Sequence, residues 1–155
     1  MMSGKQMLRP VLLTALLSLP SAFALGAECQ IDIGSTDQMT FTQERISISR
    51  ECKQITLTLT HHGRMPVAVM GHNWVLAKAS DVQAIATDGI NARASGGYLK
   101  PGDERVIAHT KLIGGGESTS VSFEVGNLTP GESYAYFCSF PGHWAAMKGT
   151  LELID

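Results

Sequence analysis

Along much of the chain, apolar and polar side chains alternate. Ile31 and Ile33, Ile46 and Ile48, and Ile55, Leu57 and Leu59 each stand between polar neighbours, the last run against Thr56, Thr58 and Thr60. Val121, Phe123 and Val125 repeat the pattern, as do Leu151 and Leu153 near the C-terminus. A period of two turns one side of each run to a core and the other to water, as in half-buried strands. Turn-forming residues part the runs at Gly34-Ser35, Gly63 to Pro66, Pro101-Gly102-Asp103, Gly114 to Gly116 and Thr129-Pro130-Gly131. Short strands punctuated in this way predict an all-β sandwich or barrel with Greek-key connections. Residues 80–90 depart from the pattern. Ser80 is a candidate N-cap, and Val82, Ile85 and Ala86 follow at helical spacing, which predicts a short helical excursion from the sheets.

The N-terminus has a different character. Residues 1–10 carry Lys5 and Arg9 and no acid, Val11 to Leu19 is apolar, and residues 20–27 are rich in small side chains. This order reads as a secretory signal peptide. The apolar run is shorter than the roughly 20 residues a bilayer span needs. Ala24, Gly26 and Ala27 are each suitable before the cut. Cleavage after Gly26 divides the chain into a leader, 1–26, and one domain, 27–155, with no membrane insertion after processing. An exported domain is free to form disulfides. Across the whole chain, 12 Lys+Arg stand against 14 Asp+Glu, for a net charge of -2. Without a basic run there is little to neutralise phosphates, so no nucleic-acid partner is expected.

Three cysteines cannot all pair within one chain. Cys29 and Cys52 lie on neighbouring expected strands, away from any His or carboxylate cluster. A disulfide is the simple reading, and a free reactive thiol at one of them is the rival. If they pair, Cys138 is left over, and it sits in chemically dense surroundings. Tyr134 to Cys138 reads as a strand, Ser139 to Gly142 as a turn, and His143 and Met147 follow, a Cys-x4-His-x3-Met spacing. One loop then offers a thiolate, an imidazole and a thioether. Zinc sites rarely use thioether. Two imidazoles, one thiolate and a weak axial thioether form the copper electron-transfer geometry. Of the other histidines, His72 stands out in Met70-Gly71-His72-Asn73-Trp74 as the second imidazole, with an ordinary strand-end role as the alternative. Alternation turns His61 inward, where a buried histidine is more often a satisfied core residue than a ligand, and leaves His62 in water. His109 lies on a strand-like segment.

The chain resembles the azurins, a branch of the cupredoxin family of blue-copper proteins. The resemblance rests on Ala27-Glu28-Cys29, Val69 to Leu76, Tyr98 to Pro101, Arg105 to Gly114, and Phe137 to Leu151, and it spans the domain without insertions. It implies an eight-stranded Greek-key β-sandwich with a helical flap, and one copper ion held by His72, Cys138 and His143. Met147 is then a distant axial ligand, with the Gly71 carbonyl on the opposite side. It also implies a Cys29–Cys52 disulfide, hydrogen bonds to the ligand loop and sulfur from Asn73 and from backbone of the Ser139-Phe140 region, and a buried His61 whose protonation follows the redox state in some members.

The function implied is periplasmic single-electron transfer by Cu(I)/Cu(II) cycling, without enzymatic turnover. Partners would be redox proteins such as a c-type cytochrome or a periplasmic reductase. Met39, Met70, Phe140, Pro141 and Trp144 are candidates for an apolar docking patch near His143, and Ile90 for either patch or core. Some relatives have a small residue where Trp144 stands. A copper trafficking or storage protein is the alternative, although such proteins favour exposed Met/His clusters. An oxidase or nitrite-reductase fragment would need a second copper site, for which the chain has no His-x-His motif.

Overall fold

The structure, a computed structural model, describes residues 29–155; the expected leader 1–26 and its cleavage point lie outside the described residues. Two sheets pack face to face. One has the order β2(Thr40–Phe41), β1(Gln30–Thr36), β4(Gln54–His61), β7(Ser118–Glu124). The other runs β3(Arg45–Ser49), β9(Lys148–Ile154), β8(Tyr134–Phe137), β5(Val75–Lys78), β6(Val106–His109). The two-residue β2 raises the count of strand segments among the described residues to nine. Both sheets are mixed: β1 runs parallel to β4 and β3 parallel to β9, while the other pairs are antiparallel. The Cys29–Cys52 disulfide closes with an S–S length of 2.02 Å and ties the start of β1 to the approach to β4, its parallel neighbour.

Strand β4 carries out the period-two prediction. Ile55, Leu57 and Leu59 are at most 1% exposed. On the opposite side Thr56, Thr58 and Thr60 pair their hydroxyls with Ser122, Ser120 and Ser118 at 2.9, 3.0 and 2.9 Å. Cross-strand hydroxyl pairs of this kind stabilise a solvated sheet surface by a few tenths of a kcal/mol to about 1 kcal/mol each.

Strands β5 and β8 are buried on both faces. Leu76, Tyr134 and Tyr136 join the core between the sheets, beside Trp74, Ile48 and Phe123. Val75, Ala77, Ala135 and Phe137 face the other way and pack with Val82, Ile85 and Ala86 of α2(Val82–Gly89) in a second core. The apolar residues on both faces of these strands thus explain the helix: it covers the outer face. The N-cap is Asp81 rather than the expected Ser80, because the first helical hydrogen bond runs from the Ile85 N–H to the Asp81 carbonyl. The helix ends at Gly89, where any Cβ would strike the Tyr98 carbonyl. Arg105 braces this flap by binding Asp88 of α2 and Asp103 at 2.7 and 2.6 Å. The strand pattern does not anticipate the single helical turn α1(Val67–Met70), which follows Pro66. No helix among the described residues is long and apolar enough to cross a membrane.

Candidate metal centre

Two loops converge at one end of the sandwich. The first runs from α1 through Gly71, His72 and Asn73 into β5. Its backbone is fixed by a bridge in which the His72 N–H donates to the Ile113 carbonyl at 2.9 Å and the Ile113 N–H donates back at 2.8 Å. The second leaves β8 at Cys138 and rejoins the sheet at β9. It is closed by the Cys138 N–H donating to the Met147 carbonyl at 3.1 Å. Within it the His143 carbonyl accepts from the Ala146 and Met147 amides at 3.1 and 2.8 Å, making a single tight turn.

Asn73 stitches the loops together. Its Nδ2 donates to the Ser139 hydroxyl at 2.7 Å and to the Gly97 carbonyl at 3.1 Å, and its Oδ1 accepts the Ser139 N–H at 2.9 Å. All of Asn73 and nearly all of Ser139 are buried. Asn73 is next to His72 in sequence and Ser139 next to Cys138, so these bonds set the separation of the two candidate ligands.

His72, Cys138 and His143 present three donor atoms within 4.8 Å of one another, and all three residues are buried. Cys138 Sγ lies 3.8 Å from His72 Nδ1 and 3.6 Å from His143 Nδ1. Metal bonds of about 2.0 to 2.3 Å arranged in a plane would hold donors about 3.5 to 4.0 Å apart, so these spacings suit three ligands around one ion. The Gly71 carbonyl is 3.8 Å from the same sulfur. His72 is prepared as a ligand by its other nitrogen: Nε2 donates to the Thr36 carbonyl at 2.8 Å, which leaves the Nδ1 lone pair facing the sulfur. Met147 is wholly buried in the main core.

The electrostatics suit a metal better than three unoccupied titratable groups. Burial pushes His72 down to about 4, and it lowers His143 as well. Both imidazoles are therefore neutral at pH 7, the form that binds metal. Burial pushes the Cys138 thiol up to about 11, against the backbone N–H groups of Asn73 and Phe140, which favour its thiolate. A bound cation reverses that balance and deprotonates the thiol. Two neutral imidazoles and one thiolate form a donor set for a soft or borderline ion and fit copper, and the buried Met147 follows on the same loop.

The remaining candidates fall around this centre. His61 is wholly buried and stacks on His72 with ring centroids 4.4 Å apart. Its Nδ1 accepts from the Gly63 amide at 2.9 Å, so its Nε2 is the donor to the Met70 carbonyl at 3.0 Å. Phe140 lies against the His143 ring at 4.6 Å and meets Tyr98 edge-on at 5.3 Å. Met39 and Met70 are half-buried, whereas Pro141 and Ile90 are exposed. Trp144 is half-buried and packs against the second core, toward α2. His62 and His109 are exposed and outside the donor cluster. Sequence reasoning passed over Met65, Val67 and Val69, which are 41%, 39% and 57% exposed just before Gly71 and His72. Their signal was available: residues 65–70 form an apolar run unbroken by any polar side chain. It also passed over Asp37, whose carboxylate accepts the Arg64 and Met65 amides at 2.8 and 3.3 Å and thereby ties that segment to the β1–β2 turn.

Comparison with known proteins agrees with this geometry. The profile of copper binding proteins of the plastocyanin/azurin family matches residues 27–154. The azurin of Bordetella pertussis is 56% identical over 141 residues, covering 91% of this chain and 94% of that protein. The azurin of Pseudomonas aeruginosa is 54% identical over 147 residues, covering 95% and 99%. Among solved structures, azurin Az-iso2 of Methylomonas sp. strain J superposes with a TM-score of 0.81 at 48% identity, covering 83% of this chain and 100% of that one.

Proposed function

The chain belongs to the plastocyanin/azurin family of copper-binding proteins, and on that premise we propose that it is a periplasmic type 1 copper protein that carries single electrons between redox partners. One copper ion is its cofactor. We assign His72, Cys138 and His143 as the residues that would hold it, with Met147 of the same loop and the Gly71 carbonyl as further donors. The observation that carries the reading is the buried cluster of three donors, with the His72 tautomer already set by Thr36.

Bound copper supplies a one-electron couple; the protein's part is to keep the surroundings alike in both oxidation states. The Ile113 bridge fixes the His72 backbone, the Asn73–Ser139 bonds fix the spacing of His72 and Cys138, and burial excludes water from the sulfur. A closed site with no side for substrate suits transfer of electrons rather than of atoms, so the proposed role is not enzymatic. Apolar side chains at Met39, Met65, Val67, Val69, Met70, Phe140 and Pro141 support docking of a partner such as a c-type cytochrome or a periplasmic reductase. His61, buried and stacked on His72, is held between the Gly63 amide and the Met70 carbonyl and backs the ligand ring. Export by a leader at 1–26 and maturation to 27–155 complete the proposal.

The visible spectrum of the Cu(II)-loaded mature protein tests it. An intense blue thiolate charge-transfer band, absent in Cys138→Ser, is the expected result. A colourless protein with Cu(II) bound would sink the reading, and rapid surrender of copper to a partner without redox change would favour trafficking.

A further inference from the structure

We infer that Trp144 is a positioning residue for the copper centre, its indole anchoring the His143–Met147 turn to the core beneath α2. The inference rests on the ligand set proposed above. The ligand loop touches two cores. Cys138, Phe140 and Met147 pack in or against the core between the sheets, whereas Trp144 packs against the core formed by Val82, Ile85, Ala86 and the outer faces of β5 and β8. Of residues 141–146, Pro141, Gly142, Ala145 and Ala146 are exposed, so only His143 and Trp144 reach into the molecule.

Those two adjacent side chains fasten the turn in different places. His143 has its Nδ1 at the sulfur and its ring against Phe140 and His72. Trp144 reaches toward the flap and forms part of the wall of a cleft of about 590 Å³, with Val82, Gln83, Ala135 and Lys148. The turn is a stiff unit because the His143 carbonyl holds both the Ala146 and Met147 amides. Gly142, at φ 84°, supplies the bend that leads into it. Without the indole the unit would be free to tilt about that bend, carrying His143 with it while Cys138 stays fixed by the sandwich. A small residue at 144 has no reach to the second core. Copper retention in this chain therefore depends on the flap.

The test compares wild type, Trp144→Ala and Trp144→Phe in two measurements. In the copper-free protein, amide exchange at Ala146 and Met147 reports the turn, with the β4 amides as reference. In the loaded protein, the rate at which a chelator strips copper reports retention. Trp144→Ala is expected to keep the blue band and to raise both rates on the order of tenfold, as loss of part of an indole's packing implies. Trp144→Phe should restore most of the difference. Unchanged rates in Trp144→Ala would overturn the inference. So would β4 exchange rising by the same factor, which would mean a general loss of stability, or a Phe variant as impaired as Ala. If wild type itself lacks the blue band, the proposed function fails instead, and exchange in the copper-free protein still decides the role of Trp144.

Discussion

The two imidazoles of the centre are held by different kinds of structure. His72 belongs to the framework: its backbone is bridged on both sides to Ile113, its Nε2 is bound by the Thr36 carbonyl of β1, and its ring is stacked on His61. His143 belongs to a turn, and its ring is held by contact with Phe140 and His72 rings at 4.6 and 5.1 Å. One ligand is positioned by the sheets through hydrogen bonds that span the molecule. The other depends on local packing of a loop. The comparison teaches that the first should be costly to disturb even without metal, and that the second is where a substitution would tune the centre without unfolding the domain.

The largest test of this contrast is truncation in the copper-free protein. His72→Ala removes a wholly buried ring from between His61 and the sulfur and leaves the Thr36 carbonyl without its donor. A loss of about 2–5 kcal/mol is expected in denaturant unfolding. His143→Ala should cost less on that measurement, because its ring, although buried, holds no framework carbonyl and so leaves none unpaired. Equal losses would break the contrast. Asn73→Ala comes next: it leaves the buried Ser139 N–H unpaired and separates the loops, for about 1–3 kcal/mol. It should also broaden the copper spectrum of the loaded protein, since both ligand loops then drift.

Proton release sharpens the comparison without any mutation. With Cys138 pushed up to about 11 and the imidazoles already neutral, copper binding at pH 7 should release about one proton per ion, and that proton comes from the thiol. Calorimetry in buffers of different ionisation enthalpy counts it. Affinity should fall about tenfold per pH unit on acidification, and more steeply once His143 and then His72, at about 4, take up protons. Release of two or three protons at pH 7 would show that the imidazoles are charged in the copper-free site.

The smallest effect is at the flap. Arg105, through its hydrogen bond first, holds Asp103 below its ordinary value of 3.8. The stability from this lowered carboxylate is complete above that value and is lost as pH falls through the lower folded value. Asp103→Asn should therefore cost about 1 kcal/mol or less near neutrality, because Arg105 is one-third exposed, and nothing once the carboxylate is protonated. The difference between variant and wild type in denaturant unfolding should vanish in acid. A constant difference at all pH values would assign the loss to packing instead.

Much of this molecule is readable from residue order. Local alternation at Ile55, Leu57 and Leu59 depends only on which neighbours are polar, so β4 and its inward face were visible in advance. The Cys138-x4-His143-x3-Met147 spacing was visible too, because a loop between two strands brings its own residues together. The start of α2 was misplaced by one residue, since Ser80 and Asp81 are both capable caps and only the hydrogen bonding distinguishes them. The α1 turn was hidden because Val67 and Val69, both β-branched, resemble strand residues. The direction of Trp144 was hidden as well. An aromatic after a ligand can turn outward to a partner or inward to a core, and the inward choice requires the second core to exist.

What residue order alone determined is therefore local and chemical: the alternating strands, the donor types and the loop that carries three of them. Tertiary structure decided the contacts between residues far apart in sequence. It brought the Thr36 carbonyl to His72, Asn73 to Ser139, and the flap to Trp144. The parallel pairings of β1 with β4 and of β3 with β9 likewise follow from crossings between sheets. The physical reason is the range of each interaction. Backbone preference and hydrophobic period act over a few residues, whereas the orientation of a buried imidazole is set by whichever polar group the whole fold leaves beside it.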